Sequence, residues 1–563
     1  MNDQLTVPAH VLTLSGLLQT RSACQGNVPF LRYLEDDREE LLSFSGLHAA
    51  ALRIGGGLPD LPRGSRVLVA TSNPRAFAQA FFGLLYRGHI PIPVPAPRLG
   101  DAISIWDRLL DRSGACAAYV DEPIAVRWSE VSEPEDQRIL LLSEQRTLNG
   151  GRALLEPCSS SPEDVAFLQF TSGSTSSPKG VMVTHRNILA NEALIQEFFK
   201  HDSSTVFGSW LPLYHDMGLI GGLLQPLFLG VEAVFLTPMS FLQKPARLLA
   251  AISRHGVTTC GMPDFGYLHC LQRIKASDLE GIDLSTWRVA FNGAEPVQRR
   301  TMDAFAQKFS SVGFRRQAFF PCYGLAEATL FVTGGFLDRP CVRAGKPGGE
   351  VGPSDPVSCG TVNLVQVLRV VDAETGDVCA DGDVGELWVR GACVGAGYWG
   401  DPEETAATFA AFTRSGEGPF LRTGDLGYVR GGELHVTGRL KDLIIIRGKN
   451  HYPQDIEASA GSASPAFVPG GSASFVLADD AVNGVVIVQE VRRENIRRAN
   501  ISEWTGLVQD VVFQRHGVKV DDVVFVYPAS IPRTTSGKIR RRRCHEMYAS
   551  DELRLLEEMD ELP

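Results

Sequence analysis

The first third of the chain alternates between two hydrophobic periods. Residues 66–70 (Arg-Val-Leu-Val-Ala) and 90–94 (Ile-Pro-Ile-Pro-Val) are short apolar runs of strand length, and 74–86 between them has the length and pattern of a helix. Ser43 stands in front of an apolar-periodic stretch that continues through Ile54, which predicts a capped helix there. Strand and helix patterns that alternate in this way predict an α/β sheet with helices on its faces. A further apolar run at 165–170 and another at 181–183 enclose a polar loop. The alternation resumes with a helix near 186–199 and a strand near 231–236. Between 334 and 360 the chain is rich in Gly and Pro and loses periodicity. From 361 to 390 strand-like runs dominate (365–371 and 386–389), which predicts a small β-barrel or sheet. After Arg439 the composition shifts again. It passes through an apolar run at 442–447, a Gly/Ser/Pro-rich stretch at 465–474, a basic stretch at 492–498 and a last strand-like run at 523–527. A domain boundary near Lys441 and a small α+β lid beyond it are expected.

The longest apolar stretch, 217–236, has nearly the length of a membrane span. It contains Gln225, Pro226, Glu232 and several glycines, so a buried helix–loop–strand is expected. At 563 residues the chain holds roughly three or four domains' worth of sequence. A formal net charge of −11 argues against a general nucleic-acid binder. Eleven cysteines without paired spacing argue against a zinc site or a disulfide framework and predict reduced thiols. Residues 1–4 lack the basic start of a secretory signal. A cytoplasmic location is therefore expected.

The polar loop carries the first chemistry. Residues Gln169-Phe-Thr-Ser-Gly-Ser-Thr-Ser-Ser-Pro-Lys-Gly180 place hydroxyls, glycines and one lysine between two apolar runs. Backbone N–H groups, hydroxyls and an ammonium so grouped can cradle a polyphosphate. The Walker loop requires Gly-Lys-Ser/Thr, whereas here Lys179 precedes Gly180. A nucleotide triphosphate handled by another chemistry is the prediction.

Seven more segments follow in order: Leu211-Pro-Leu-Tyr-His-Asp-Met-Gly-Leu-Ile-Gly221, Asn292-Gly-Ala-Glu-Pro296, Tyr323-Gly-Leu-Ala-Glu-Ala-Thr329, Gly385-Glu-Leu-Trp-Val-Arg-Gly391, Arg422-Thr-Gly-Asp-Leu-Gly427, Gly438-Arg-Leu-Lys-Asp442 and Pro532-Arg-Thr-Thr-Ser-Gly-Lys-Ile-Arg540. Together with the loop they resemble the adenylate-forming enzymes: acyl-CoA synthetases, nonribosomal adenylation domains and luciferases. The Tyr-His-Asp-Met-Gly-Leu and Tyr-Gly-Leu-Ala-Glu-Ala-Thr forms are most similar to fatty acyl-AMP ligases. The resemblance spans 169–540. It implies a large N-terminal domain (1–440) of two α/β subdomains plus a small β-barrel subdomain, then a small mobile α+β C-terminal domain (441–563).

The resemblance also implies the chemistry. A carboxylate attacks the α-phosphate of ATP, pyrophosphate leaves, and the acyl group passes from acyl-AMP to the phosphopantetheine thiol of an acyl carrier protein. Lys538 matches the adenylation lysine. Glu327, with the hydroxyl of Thr171, matches the Mg²⁺ position. The loop residues Thr171, Ser172, Gly173, Ser174, Thr175, Lys179 and Gly180 would hold phosphates. Gly293, Ala294, Glu295, Tyr323, Gly324 and Leu325 correspond to the adenine site, although Tyr323 is equally readable as a core tyrosine. Asp425 would accept the ribose hydroxyls, with Arg439 completing the ribose or phosphate grip. His215 falls at the junction of acyl pocket and thiol tunnel, or is a structural histidine. Lys441 matches the hinge. The acyl pocket is expected along 219–229 and 262–267. Asp264 stands where related ligases usually have Asn, a departure that fits a shorter or functionalised acid. The segment 335–358, which corresponds to the stretch that excludes coenzyme A, is short and leaves CoA open as an acceptor. No carrier segment follows Pro563, so a separate carrier is expected. The arginine-rich stretches 540–543 and 492–498 are candidate docking sites for an acidic carrier, or solvated faces. A non-catalytic nucleotide- or acyl-binding protein is the alternative of a different class.

Overall fold

The computed structural model describes all residues except 1–6, 9, 36–37, 98–105, 132–138, 149–155, 172–177, 338–355, 363–365, 447–448, 478–483, 534–537 and 557–563. The described chain divides into a larger unit, which runs to Thr423 and includes 428–435, and a smaller unit made of 424–427 and the residues from 436 onward.

Local rules account for the first elements. Ser43 Oγ accepts from Gly46 N at 3.1 Å and starts the helix Phe44–Gly57. Asn73 Oδ1 accepts from Arg75 N and Ala76 N, and Pro74 occupies the first turn of Pro74–Tyr86, where its missing N–H costs nothing. The two helices pack closely at Gly83, where a Cβ would lie 2.6 Å from Ile54 Cγ2. Strand Arg66–Ala70 is buried along Val67–Ala70 and pairs in parallel with Ile90–Pro93 on one side and Ala117–Val120 on the other. A continuous apolar run is what a parallel strand covered on both faces needs.

A second sheet of the larger unit has the order Thr259–Cys260, Phe207–Ser209, Ala233–Leu236, Pro29–Glu35, Arg38–Ser43. The apolar stretch at 217–236 feeds it. It folds as a helical turn Asp216–Gly218, a π-helical turn Leu219–Leu224, the helix Gln225–Leu229 and the strand Ala233–Leu236, all largely buried. Among the described residues no helix is long and apolar enough to cross a membrane. The barrel or sheet expected after residue 361 is a five-stranded sheet with Ser358–Thr361 and Val367–Val371 at its two ends. The Gly/Pro-rich segment before it lies mostly outside the described residues.

The smaller unit has its own core. Strands Phe467–Leu477, Gly484–Val491 and Val520–Val526 form a sheet whose middle strand is buried throughout. Val485 and Ile487 pack with Ile456, Trp504 and Val508 from two helices, and Val486 and Val488 pack with Ile531 and Cys544 on the other face. The Gly/Ser/Pro-rich stretch at 465–474 is largely inside the first strand. A register shift between Phe467 and Ser472, with Gly470 at φ 68°, absorbs the Pro-Gly-Gly sequence, and pairing resumes at Ser472.

Asp264 is a structural tie. Its Oδ1 accepts from Asn292 Nδ2 and Gln298 N, both at 3.0 Å, and its Oδ2 accepts from Thr301 Oγ1 at 2.8 Å. Burial lifts its pKa above the ordinary range, and these three bonds draw it part of the way back. The carboxylate is engaged by its own scaffold. Asp264→Ala, which strands three donors, should lower stability by about 2–4 kcal/mol in urea unfolding, whereas Asp264→Asn should cost less than about 1 kcal/mol.

Candidate functional site

The phosphate-type loop grows from a pinned hairpin. Strand Val165–Thr171 pairs antiparallel with Lys179–Thr184, so Thr171 and Lys179 face each other at the mouth of the loop. Phe167, Leu168, Val181 and Val183 are fully buried and hold both arms in the core. Ser172, Gly173, Ser174 and Thr175 lie outside the described residues. Gly180 leaves room for the Phe170 ring, which would sit 2.8 Å from any Cβ there.

A third segment lines the free edge of this hairpin. Trp399 N donates to Gly180 O at 2.8 Å, Met182 N to Gly397 O at 2.9 Å and Ala396 N to Met182 O at 2.9 Å. This pairing delivers Tyr398 to the loop. Its ring centre lies 4.8 Å from Lys179 Nζ, and its Oη donates to Glu327 Oε1 at 2.9 Å. Burial first, and the Glu327 charge second, push the phenol's pKa up, so it stays a donor. Glu327 sits in the 3₁₀ turn Ala326–Ala328, whose backbone is fastened to the same segment: Gly395 N donates to Glu327 O at 2.9 Å, and Thr329 Oγ1 to Cys393 O at 2.6 Å. The Lys179 ammonium is also paired with the Glu404 carboxylate, which stands in the first turn of Pro402–Phe409. Thus Thr171, Lys179, Gly180 and Glu327 are brought together through Tyr398. Neither Tyr398 nor Glu404 was among the expected site residues. Their one signal was the run Gly-Tyr-Trp-Gly-Asp-Pro-Glu-Glu at 397–404, which follows a glycine-rich stretch.

The residues expected around adenine occupy the ends of two neighbouring strands. Ala290–Asn292 pairs in parallel with Phe319–Gly324. Gly293, Ala294 and Glu295 leave the carboxyl end of the first strand, and Tyr323, Gly324 and Leu325 end the second. Crevices at the carboxyl ends of parallel strands are the usual ligand sites of such sheets. Gly324 is obligatory, because a Cβ would lie 1.8 Å from Leu330 O. Ala294 adopts φ 69°, a left-handed conformation uncommon for alanine. Glu295 Oε1 accepts from Phe265 N at 2.5 Å, and Tyr323 is largely buried.

His215 Nδ1 lies 2.6 Å from Asp216 Oδ1, which also accepts from Met217 N at 2.7 Å. The preceding Tyr214 O accepts from Gln169 Nε2 at 2.9 Å, so this motif is tied to the strand that leads into the phosphate-type loop. Both expected wall segments of the acyl pocket, 219–229 and 262–267, contribute to the same apolar core.

In the smaller unit Arg439 Nε donates to Asp425 Oδ1 at 2.9 Å, and Asp425 is only 6% exposed. Lys441 is exposed in the 3₁₀ turn Leu440–Asp442. Lys538 follows four residues outside the description and precedes a segment fastened to 532–533. There Arg533 is bridged to Ile539, and Arg540 N donates to Pro532 O at 2.9 Å. The arginine run at 540–543 is not a uniform docking patch. Arg541 is held by Glu457 and Asp442, and Arg543 pairs with Glu552 at 2.6 Å. In the other basic stretch Arg492 Nε donates to Phe467 O at 3.0 Å.

The family model for AMP-binding enzymes matches residues 18–399, and that for the Disco-interacting protein 2-like AMP domain matches 441–558. The medium-chain-fatty-acid–[acyl-carrier-protein] ligase JamA of Moorena producens is 36% identical over 562 residues, covering 95% of each chain. The ligase of the same description from Teredinibacter turnerae, TtuA, is 43% identical over 417 residues, which are 70% of this chain and 65% of that relative. A solved fatty acyl-adenylate ligase from Legionella pneumophila, in complex with acyl adenylate and pyrophosphate, superposes with a TM-score of 0.73 at 34% identity, covering 97% of this chain and 98% of that one. The chain belongs to the AMP-binding enzymes, in the group that contains the fatty acyl-AMP ligases.

Proposed function

We propose that this protein activates a medium-chain fatty acid with ATP and passes the acyl group to the phosphopantetheine thiol of a separate acyl carrier protein. The observation that carries this reading is the junction of Lys179, Tyr398 and Glu327, which sets a cation and a carboxylate around the mouth of a hydroxyl-rich loop. The chain length and the acceptor are taken from JamA and TtuA, whose names specify both.

In the first half-reaction a fatty-acid carboxylate oxygen bonds to the α-phosphorus of ATP, and the bond to the bridging oxygen breaks toward pyrophosphate. Two anions meet, so cations at the phosphates lower the barrier. Lys179 serves the outer phosphates and must leave Glu404 to do so. Lys538 serves the α-phosphate and the incoming carboxylate. Glu327 and Thr171 are hard oxygen donors of the kind Mg²⁺ takes alongside phosphate and water, so the residues present fit that ion. When bound, Mg²⁺ would add positive charge at the phosphates. Tyr398, by donating to one oxygen of Glu327, fixes how that carboxylate is presented. Asp425 and Arg439 serve the ribose, the loops at 293–295 and 323–325 hold adenine, and His215 stands at the acyl end. In the second half-reaction the carrier thiolate adds to the acyl carbonyl and AMP leaves. A division at 1–440 and 441–563, with Lys441 as hinge, is supported by the second family match starting at 441. The cysteines of the described residues are free thiols, which supports a reducing, cytoplasmic setting.

The test is a panel of short, medium and long straight-chain acids with ATP, read as pyrophosphate release with hydroxylamine trapping, then with holo-carrier or CoA as acceptor. Release with medium-chain acids, and transfer to holo-carrier in preference to CoA, are expected. No release with any acid would overturn the reading, and better turnover with CoA would replace the acceptor. Lys538→Ala should slow pyrophosphate release by about 100-fold, roughly 2.7 kcal/mol, while transfer from supplied acyl-AMP survives better.

A further inference from the structure

Three charged side chains from distant parts of the sequence meet inside the smaller unit. Arg541 Nε and Nη2 donate to Glu457 Oε1 and Oε2 at 2.7 and 2.8 Å, side by side, and its Nη1 donates to Asp442 Oδ2 at 3.1 Å. Glu457 is 8% exposed and also accepts from Ser474 N at 2.9 Å, so its carboxylate is anchored to the central sheet. Burial alone would draw the guanidinium's pKa down; the two carboxylates raise it above its ordinary value. The paired bond to Glu457 engages Nε and Nη2, two of the guanidinium's three nitrogens. The bond to Asp442 is additional, and it goes to a particular place.

Asp442 is the residue after Lys441, and Arg541 is the third residue after Lys538. The intervening residues are also held, Ile539 by its bridge to Arg533 and Arg540 by its N–H to Pro532 O. Arg541 then opens the helix Arg541–Ala549.

We propose that Arg541 is a positioning residue for adenylation: by bonding Asp442 it joins the hinge-side end of the smaller unit to the segment that bears Lys538. Backbone rotation at Lys441 then carries Lys538 as one rigid piece. A loose joint at Asp442 would let that motion dissipate before it reached the lysine. The inference rests on the proposed roles of Lys538 and Lys441.

The experiment is a double-mutant cycle. Asp442→Ala removes the third bond and leaves Glu457 holding Arg541; Asp442→Asn, which preserves the shape of the turn, is the second variant should the first fail to fold. Each is measured for pyrophosphate release alone and in the Lys538→Ala background. In the otherwise wild-type enzyme turnover should fall about fivefold to tenfold, with the KM for ATP within about twofold. In the Lys538→Ala background no further loss should appear, because the lost bond acts only through that lysine. An unchanged turnover, or the same fold-loss in both backgrounds, would overturn the proposal while leaving the role of Lys538 intact. A Lys538→Ala enzyme that releases pyrophosphate at a near-normal rate would instead overturn the lysine's role, and the proposal with it.

Discussion

One tyrosine side chain links the two charged groups of the candidate site in the larger unit, its ring facing Lys179 and its hydroxyl bonding Glu327. Tyr398 stands between the Lys179 hairpin and the Glu327 turn, and it reaches both because residues 395–399 add to the open edge of the hairpin. The backbone bonds of that segment set the spacing, and the side chain makes the electrostatic link. Backbone bonds from Gly395 N to Glu327 O and from Trp399 N to Gly180 O tie the Glu327 turn to the hairpin, and Tyr398 adds the link between their side chains.

The Lys179–Glu404 pair belongs to the same logic. Both side chains are partly exposed, and pairs of that kind are worth about 0–1 kcal/mol. Such a contact can place a lysine yet yield to a triphosphate, which offers several negative charges at once. The Arg541–Glu457 pair, in which the carboxylate is buried, has the opposite character. Removing one partner would leave a charge stranded in the core, which typically costs about 3–5 kcal/mol. One pair suits exchange with substrate; the other suits a fixed joint.

What could be read from the sequence was what is determined locally. Ser43 and Asn73 announce helices because caps act within a few residues, and 66–70 announces a buried strand because its whole apolar run is contiguous. The loop at 169–180 and the motifs carrying Lys538, Glu327 and Asp425 are contiguous segments, so the family could be read from them. Tyr398 was not legible, since its partner lies 71 positions earlier and its delivery depends on strand pairing across the fold. Arg541 looked like one member of a solvated charge run because nothing nearby in sequence shows that Glu457, 84 positions earlier, will hold it. The scaffold role of Asp264 was equally hidden, because its partners Asn292, Gln298 and Thr301 lie 28 to 37 positions later.

Adenylation at this site requires the triphosphate to meet the Lys179 hairpin beside Glu327. A structure determined with a non-hydrolysable ATP analogue tests this most directly. The phosphates should lie against Lys179, with its ammonium withdrawn from Glu404 and Tyr398 still bonded to Glu327. A nucleotide bound elsewhere, with Lys179 still paired to Glu404, would contradict it.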